Sequence, residues 1–339
     1  MDIAISWLDP ADEATAHEAM ALQSAAQAVD LPDFPPVCPE FFIGNLRVPW
    51  PGQRTEFWLA RVDGELVALA ELGLPILDNL ENSDLSLTVH PEHRRRGVGR
   101  ALFDHGVSVA QGDGRKRMLS SVPEALPGRP DHGQAGRAFA ESVGAKSALI
   151  EVRRRLDVTA LDEAALDTLL RDGYAKAAGY TIVRWIGPVS DDDVDDIGYL
   201  DGRLLTDAPM GDVQWEPEQM DRARIRAGDE AREARGLRLY HTAARDEASG
   251  HLVAWTTIAF DATTPWHAWQ FITIVEPKHR GHRLGAIVKV ENLRHVLAHE
   301  PALTTVDTWN ASVNDHMISI NEAMGFRPAE QWHNYQLNL

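Results

Sequence analysis

The sequence predicts an α/β (α+β) fold laid down twice along one chain. Three observations predict it. An alternating apolar strand turns through arginine and glycine into a helix at residues 89–100, and the same device returns at residues 275–286. A strand hairpin stands before each copy. The opening run Ile3-Ala4-Ile5-Ser6-Trp7-Leu8-Asp9-Pro10 is echoed by residues 180–188 through a shared Trp-x-x-Pro. Aligning Trp7 with Trp185, Pro91 with Pro277 and Gly144 with Gly325 keeps the offset at about 180 residues, and a tandem duplication explains such spacing. The expected boundaries are a first domain at 1–157, a linker helix at 158–179 and a second domain at 180–339.

A chain of 339 residues is long enough for two domains that each bury a core. With 44% apolar and 25% charged residues it reads as globular. A net charge of −18 argues against nucleic acid and favours a cationic substrate or plain solubility. The single cysteine, Cys38, forms no internal disulfide, which suits a reducing cytoplasm. It has no neighbouring histidine or helix start to activate it. The first residues lack a basic segment and an apolar signal core, and no apolar run reaches membrane-spanning length. The expectation is a cytoplasmic protein with no membrane partner.

In the first half, Ile3, Ile5 and Trp7 alternate as a strand. A helix follows over 12–29 and stops near Leu31-Pro32. Residues 31–51 hold six prolines and read as a long loop beside a cleft. Residues 57–62 and 66–70 form a hairpin about Asp63-Gly64. The strand over 84–89 feeds the first arginine–glycine loop. The helix beyond buries Val98, Ala101, Leu102 and Val109 and ends at Gly112-Asp113-Gly114. A strand over 118–122, a loop over 123–133, a helix over 136–143 and a strand over 148–156 close the half.

Residues 161–178 read as the connecting helix. After the second Trp-x-x-Pro, Ser190 and the aspartates 191–193 read as a helix start, capped by the serine with acids in the first turn, rather than as a metal cluster. Helix continues over 220–234. A second hairpin runs over 237–260, turning near Ser249-Gly250. The strand over 269–275 feeds the second loop, whose helix carries Leu284, Ile287, Val288, Leu293 and Val296. A strand over 306–310 and a helix over 314–324 follow, with Gly325 as C-cap.

A strand turning through arginine and glycine into a helix is suited to phosphate. The N–H groups of the first helical turn lack intrahelical acceptors, and the helix dipole adds partial positive charge there. Gly97 and Gly99 let the backbone approach a bulky anion, while the arginines supply charge and paired donors. The first phosphate-binding set is therefore Arg94, Arg95, Arg96, Gly97, Val98, Gly99 and Arg100. The second is Arg280, Gly281, His282, Arg283, Leu284, Gly285 and Ala286. The histidines flanking both loops lie close to the expected phosphate, and no metal is expected.

The run Val89-x-Pro91-x-x-Arg94-x-x-Gly97-x-Gly99 resembles the signature of the GNAT superfamily of acyl-CoA-dependent N-acetyltransferases. The hairpin before it and the later strand–helix–Gly segments extend the resemblance over nearly the whole chain, as two copies. Asn310, Asn314 and Met324-Gly325-Phe326 support the second copy, and the resemblance adds Asn310 and Asn314 to its expected cofactor-binding residues. The resemblance implies a mixed, mostly antiparallel sheet flanked by helices in each copy. It also implies acetyl-CoA as co-substrate, its pyrophosphate on the loop N–H groups and its pantetheine arm along the strands ending at Val89 and Val275. A backbone N–H near those valines would meet the thioester oxygen as charge develops.

The sequence departs from the family pattern in two places. Arg283 stands where the motif asks for glycine. Ala140 and Asn321 stand where many members carry the tyrosine that protonates the leaving thiolate. A thiol pKa of about 8.5 makes the thiolate a tolerable leaving group without that acid. The attacking amine needs a base, and Asp84, Glu81 and Glu71 are the candidates. The matching stretch of the second copy, Trp269-Gln270, has no acid. Trp255, Trp266, Trp269 and Trp309 read as core, or as an aromatic wall for an acceptor. The expected function is acetyl transfer from acetyl-CoA to a primary amine of a small molecule, such as an antibiotic-like or amino-sugar amine, by a monomer or homodimer. The alternative is a catalytically silent CoA-binding sensor or partner-binding protein.

Overall fold

Residues 2–129 and 134–339 are described in the computed structural model. The first half forms β1 (Ile3–Trp7), α1 (Glu13–Asp30), α2 (Pro39–Arg47), β2 (Gln53–Val62), β3 (Glu65–Pro75), β4 (Asn82–Val89), α3 (Val98–Gly112), β5 (Arg117–Ala125), α4 (Gln134–Ser142) and β6 (Lys146–Asp157). The second half forms α5 (Glu163–Tyr174), β7 (Tyr180–Ile186), α6 (Val194–Gly202), α7 (Leu204–Asp207), α8 (Arg222–Ala234), β8 (Arg238–Asp246), β9 (Leu252–Phe260), β10 (His267–Val275), α9 (Leu284–His299), β11 (Thr305–Ala311), α10 (Asp315–Met324) and β12 (Arg327–Asn338).

The first unit takes the chain up to Glu151, together with Gly211–Trp215 and Glu330–Leu339. Its strands lie in the order β1-β2-β3-β4-β5-β12. All neighbours are antiparallel except β4 and β5. Because side chains alternate across a sheet, each face has its own core. On one face Ala16, Ala19 and Leu22 of α1 and Phe42 and Leu46 of α2 cover Phe57, Leu59 and Leu69. On the other, Val98, Leu102 and Phe103 of α3 cover Ala68, Ala70, Leu72 and Leu85.

The second unit comprises Val152–Met210 and Glu216–Ala329. Its strands follow the order β6-β11-β10-β9-β8-β7. Strand β10 pairs in parallel with β11, at the position that matches β4 with β5. Helices α5, α9 and α10 cover one face, and α6 and α8 cover the other. The expected mixed sheet flanked by helices is present in both copies.

Several boundaries differ from the sequence reading. The stretch 31–51 contains α2, because Pro39 sits in the first helical turn, where its missing N–H costs nothing, and Phe42 and Leu46 share the buried stripe. Strand β5 continues through Pro123 to Ala125. The end of the expected loop, 130–133, lies outside the described residues. Ser190 does not cap α6. Its hydroxyl donates to Asp193 (3.1 Å), and the helix starts only at Val194. The 158–179 segment is no linker, since Leu166 and Leu170 of α5 are buried in the second unit's core. Strand β12 went unread, and it carries Glu330–Leu339 into the first unit rather than into the second.

That strand gives a direct test. Tyr335 is buried with Val122 and Ala140 in the first unit. Tyr335→Ala is expected to cost about 3 kcal/mol, as other buried aromatic truncations do, read as a lower urea midpoint. An unchanged midpoint would show that β12 contributes little to the unit.

Candidate active site

The two parallel pairs shape the site. Strands β4 and β5 pair at Asn82–Arg117, Ser83–Met118 and Asp84–Leu119, and pairing stops there. Both strands run on, β4 to Val89 and β5 to Ala125, so a wedge opens between them. Backbone groups on the facing edges need partners, and an extended polar chain entering the wedge supplies them.

Asp84 stands at the apex. The alternation that turns Leu85, Leu87 and Val89 toward α3 turns Asp84 to the opposite face. Its carboxylate accepts from Gln53 Nε2 at 3.0 Å. Gly73 lies directly across from it on β3, and a Cβ there would overlap both Gln53 Nε2 and the Asp84 carboxylate. The glycine makes room for that hydrogen bond. Burial, reinforced by the negative charge of Glu71, pushes Asp84 up to about 6. Glu71 is positioned by Asn45, whose Nδ2 donates to Oε1 at 2.9 Å. Glu81 does not join them. It is an exposed acid held by Lys116 and Arg117, and the hydrogen bond from Lys116 lowers its pKa. Gln53, Asn45 and Gly73 were missed in the sequence, because only pairing across strands brings them to Asp84.

The loop after each wedge is built the same way. In the first, Arg94 is not free for an anion. Its Nε donates to the Val89 carbonyl (3.1 Å), and its two Nη atoms grip Asp30 at 2.8 and 2.6 Å. Arg280 repeats this with the Val275 carbonyl (3.3 Å) and Asp207 (3.1 Å). Each loop then needs two left-handed residues. The first uses Arg95 (φ 62°) and Gly97 (φ 86°), and the second uses Gly281 (φ 89°) and Arg283 (φ 60°). The glycine and the arginine have exchanged places, so Arg283 fills the conformational role of Gly97. Gly99 and Gly285 serve packing instead, for a Cβ at either would meet the valine ending the strand, at 3.2 and 3.5 Å. Val98, Leu284 and Ala286 are core side chains that offer the site only backbone. Within α3 the Ala101 N–H reaches the Gly97 carbonyl (3.0 Å), which leaves the N–H groups before it turned outward. Among the described residues Arg95 and Arg96 are exposed cations with no ion-pair partner. Arg100 is paired with Asp104 on the surface, and His282 is turned to the Lys176 carbonyl (2.9 Å).

The second wedge differs in chemistry. Pairing of β10 with β11 ends at Trp269–Asp307. Because of a bulge in β10, Trp269, paired with Ala259 as Asp84 is with Gly73, stands in the place of Asp84 and its Nε1 donates to Asp261 Oδ2 (3.1 Å), while Gln270 Nε2 donates to the Thr257 carbonyl (2.8 Å) and to Thr256 Oγ1 (3.0 Å). The register slips between Gln270 and Thr273, a bulge that takes one extra residue out of the ladder beside the wedge. Asn310 accepts from Asn321 Nδ2 at 2.6 Å. The Oδ1 atom of Asn321 is buried without a partner, an acceptor suited to an N–H or S–H group entering the wedge. Asn314 is a helix cap, accepting from the Met317 N–H. Among the described residues no group of three His, Cys, Asp or Glu is placed to hold a metal ion, and no helix is long and apolar enough to cross a membrane.

Two predictions follow from this geometry. An acid whose folded pKa is raised stabilises the fold while protonated and loses that contribution as pH rises through the shifted value. Asp84→Asn is therefore expected to raise the thermal midpoint above pH 6 and to leave it unchanged below about pH 4, as read by melts across that range. At the loops, Gly97→Ala should cost about 1 kcal/mol, because the left-handed conformation penalises a Cβ. Arg283→Gly should cost nothing at the matching position. Equal losses in chemical denaturation would overturn the exchange of roles.

The acetyltransferase (GNAT) domain family matches residues 53–141, within the first unit. A solved tandem GNAT protein from the clavulanic acid biosynthesis pathway is similar at 30% identity and a TM-score of 0.85, over 99% of this chain and 98% of that one. A GCN5-related N-acetyltransferase from Sphaerobacter thermophilus is similar at 15% identity and a TM-score of 0.67, over 99% and 95% of the two chains. The N-myristoyltransferase of Saccharomyces cerevisiae, solved with bound myristoyl-CoA, shares the fold at 11% identity and a TM-score of 0.61, over 99% and 82%. No curated protein matches the sequence. With two wedges, two arginine-tied loops and a 30% identical tandem relative matched over nearly its full length, the chain belongs to the GNAT acetyltransferase family as a tandem member.

Proposed function

We propose that the protein transfers an acetyl group from acetyl-CoA to the primary amine of a small molecule, and that the first unit performs the chemistry. Acyl transfer is the chemistry of the family to which the chain belongs. The observation that carries the finer reading is Asp84 at the apex of the first wedge, with its pKa pushed up to about 6. A carboxylate with that value is ionised at pH 7.5 yet basic enough to take a proton, the condition a general base needs. The Asp84–Glu71 pair attracts an ammonium, and Asp84 removes its proton so that the nitrogen can attack. Outward N–H groups at the start of α3, with Arg95 and Arg96, hold the diphosphate. Acetyl-CoA supplies an activated thioester whose thiol, with a pKa of about 8.5, departs as thiolate without a tyrosine at Ala140.

Release of free thiol from acetyl-CoA across a panel of small amines tests the reading. Asp84→Asn is expected to lower kcat by about 10²–10⁴. The wild-type kcat/KM should fall as pH drops through about 6, where Asp84 becomes protonated. The Arg95→Ala/Arg96→Ala double variant should raise the KM for acetyl-CoA about tenfold with little change in kcat, since it removes charge-assisted binding shared by ground and transition states. Acetyl-CoA binding in calorimetry without thiol release from any amine would favour the silent sensor, which the missing hydroxyl at Ala140 and Asn321 motivates.

A further inference from the structure

The second unit holds a cavity of about 180 Å³ between the sheet and helices α6, α7 and α8. Two kinds of residue line it. Trp185, His241 and Trp255 form an aromatic wall from three adjacent strands. The Trp185 and His241 rings stack at 4.7 Å and 6°, and His241 and Trp255 at 5.9 Å and 15°. Asp201, Asp229 and Arg232 supply the charge. Phe271 and Ile272, the bulged residues of β10, also line it, so the cavity reaches the second wedge.

The charges do not cancel within the cavity. Asp229 is engaged by Arg226 (3.3 Å) and Arg232 (3.5 Å). Arg226 also meets Asp191 (2.6 Å), and Arg224 is taken by Glu218 (2.8 Å). Asp201 accepts no hydrogen bond and makes no ion pair among the described residues. Burial raises its pKa, with Glu218 adding to the rise, while Arg232 and Arg224 attract it without direct contact. His241 does not compensate it. His241 Nδ1 accepts from Trp255 Nε1 (3.1 Å) and lies 3.0 Å from Thr257 Oγ1. Burial, with the nearby Arg232 charge, pushes this imidazole down to about 3 and keeps it neutral. A half-buried carboxylate whose nearest arginines, Arg232 and Arg224, are engaged by Asp229 and Glu218 is costly to keep ionised, and a cation entering the cavity lowers that cost. A tryptophan face left open by the stack attracts the same cation through its ring electrons.

Size narrows the class further. An apolar cavity of about 150 Å³ accepts benzene, whereas drug-sized ligands need about 300 Å³ or more. About 180 Å³ therefore suits a single ring bearing one short arm, and is too small for an amino-sugar oligomer or a peptide.

We propose that the second unit binds a ring-sized organic monocation, an ammonium on a single small ring, with Asp201 as its counter-ion and the Trp185–His241–Trp255 stack as its wall. This site needs neither acyl-CoA nor the first unit's chemistry.

Calorimetry on the full chain, without acyl-CoA, tests it with benzylamine hydrochloride as probe and benzyl alcohol as its neutral isostere. Benzylamine is expected to bind at least tenfold more tightly than benzyl alcohol. Asp201→Asn should erase that preference, Leu204→Trp should block both ligands by filling the cavity, and the exposed Asp192→Asn should change neither. Leu204→Trp keeps the test decisive if Asp201→Asn fails to fold. Equal affinity for the two probes, no binding of benzylamine, or binding that survives both Asp201→Asn and Leu204→Trp would each overturn the proposal. Absence of thiol release in the acetyl-transfer assay leaves this measurement untouched, so the two readings fail separately.

Discussion

Both candidate sites rest on one tie, the first arginine of each loop. Arg94 and Arg280 donate from Nε to the carbonyl of the valine that ends the strand, and their outer nitrogens reach an aspartate from an earlier helix. Each loop must hold two residues in the left-handed region, one of them an arginine, at a cost of order 1–3 kcal/mol for the non-glycine. Such conformations persist only where the surroundings over-determine them. The charge-assisted tie fixes the strand end and the loop together, so the N–H groups beyond it keep their direction. The most conspicuous arginine of the motif thus acts on the backbone, while its neighbours Arg95 and Arg96 stay exposed.

The periodic elements were legible in the sequence because each is set by local rules. Alternation gave the strands and the hairpins, and a 3.6-residue stripe gave α3 and α9. The duplication was legible from spacing. What could not be read depends on partners distant along the chain. Arg94 looks like an anion ligand until Asp30, 64 residues away, is found against it. Glu81 and Asp84 sit three positions apart and look alike, but one faces Lys116 and Arg117 at the surface while the other is enclosed with Gln53. Strand β12 lacks a clean apolar alternation, for Glu330, Gln331, His333 and Asn334 interrupt it, so its place is set by pairing with β5. The cavity wall of Trp185, His241 and Trp255 comes from three strands, and no window of sequence holds all three.

The two units carry the same scaffold and different side chains at matching points. Asp84 in one is Trp269 in the other, and a continuous register in one is a bulge in the other. An indole whose N–H donates to Asp261 accepts no proton, so the base-like position of the second unit is inert at any ordinary pH. Its polar character lies elsewhere, in Asp201 of α6. Duplication left the loop geometry nearly unchanged while the face across the wedge diverged.

The position of β12 bears on how the chain is made. The first unit's sheet has five strands by Ala125 but gains its sixth only from Glu330 onward. At about 5–20 residues per second, roughly 10–40 s of synthesis separates the two. During that interval the β5 edge presents unpaired backbone beside Val122, a surface open to wrong partners. The second unit's residues all emerge before Glu330. Although it comes later in the chain, it is the first whose sheet can be completed, and the nascent first unit depends on whatever shields its open edge until then.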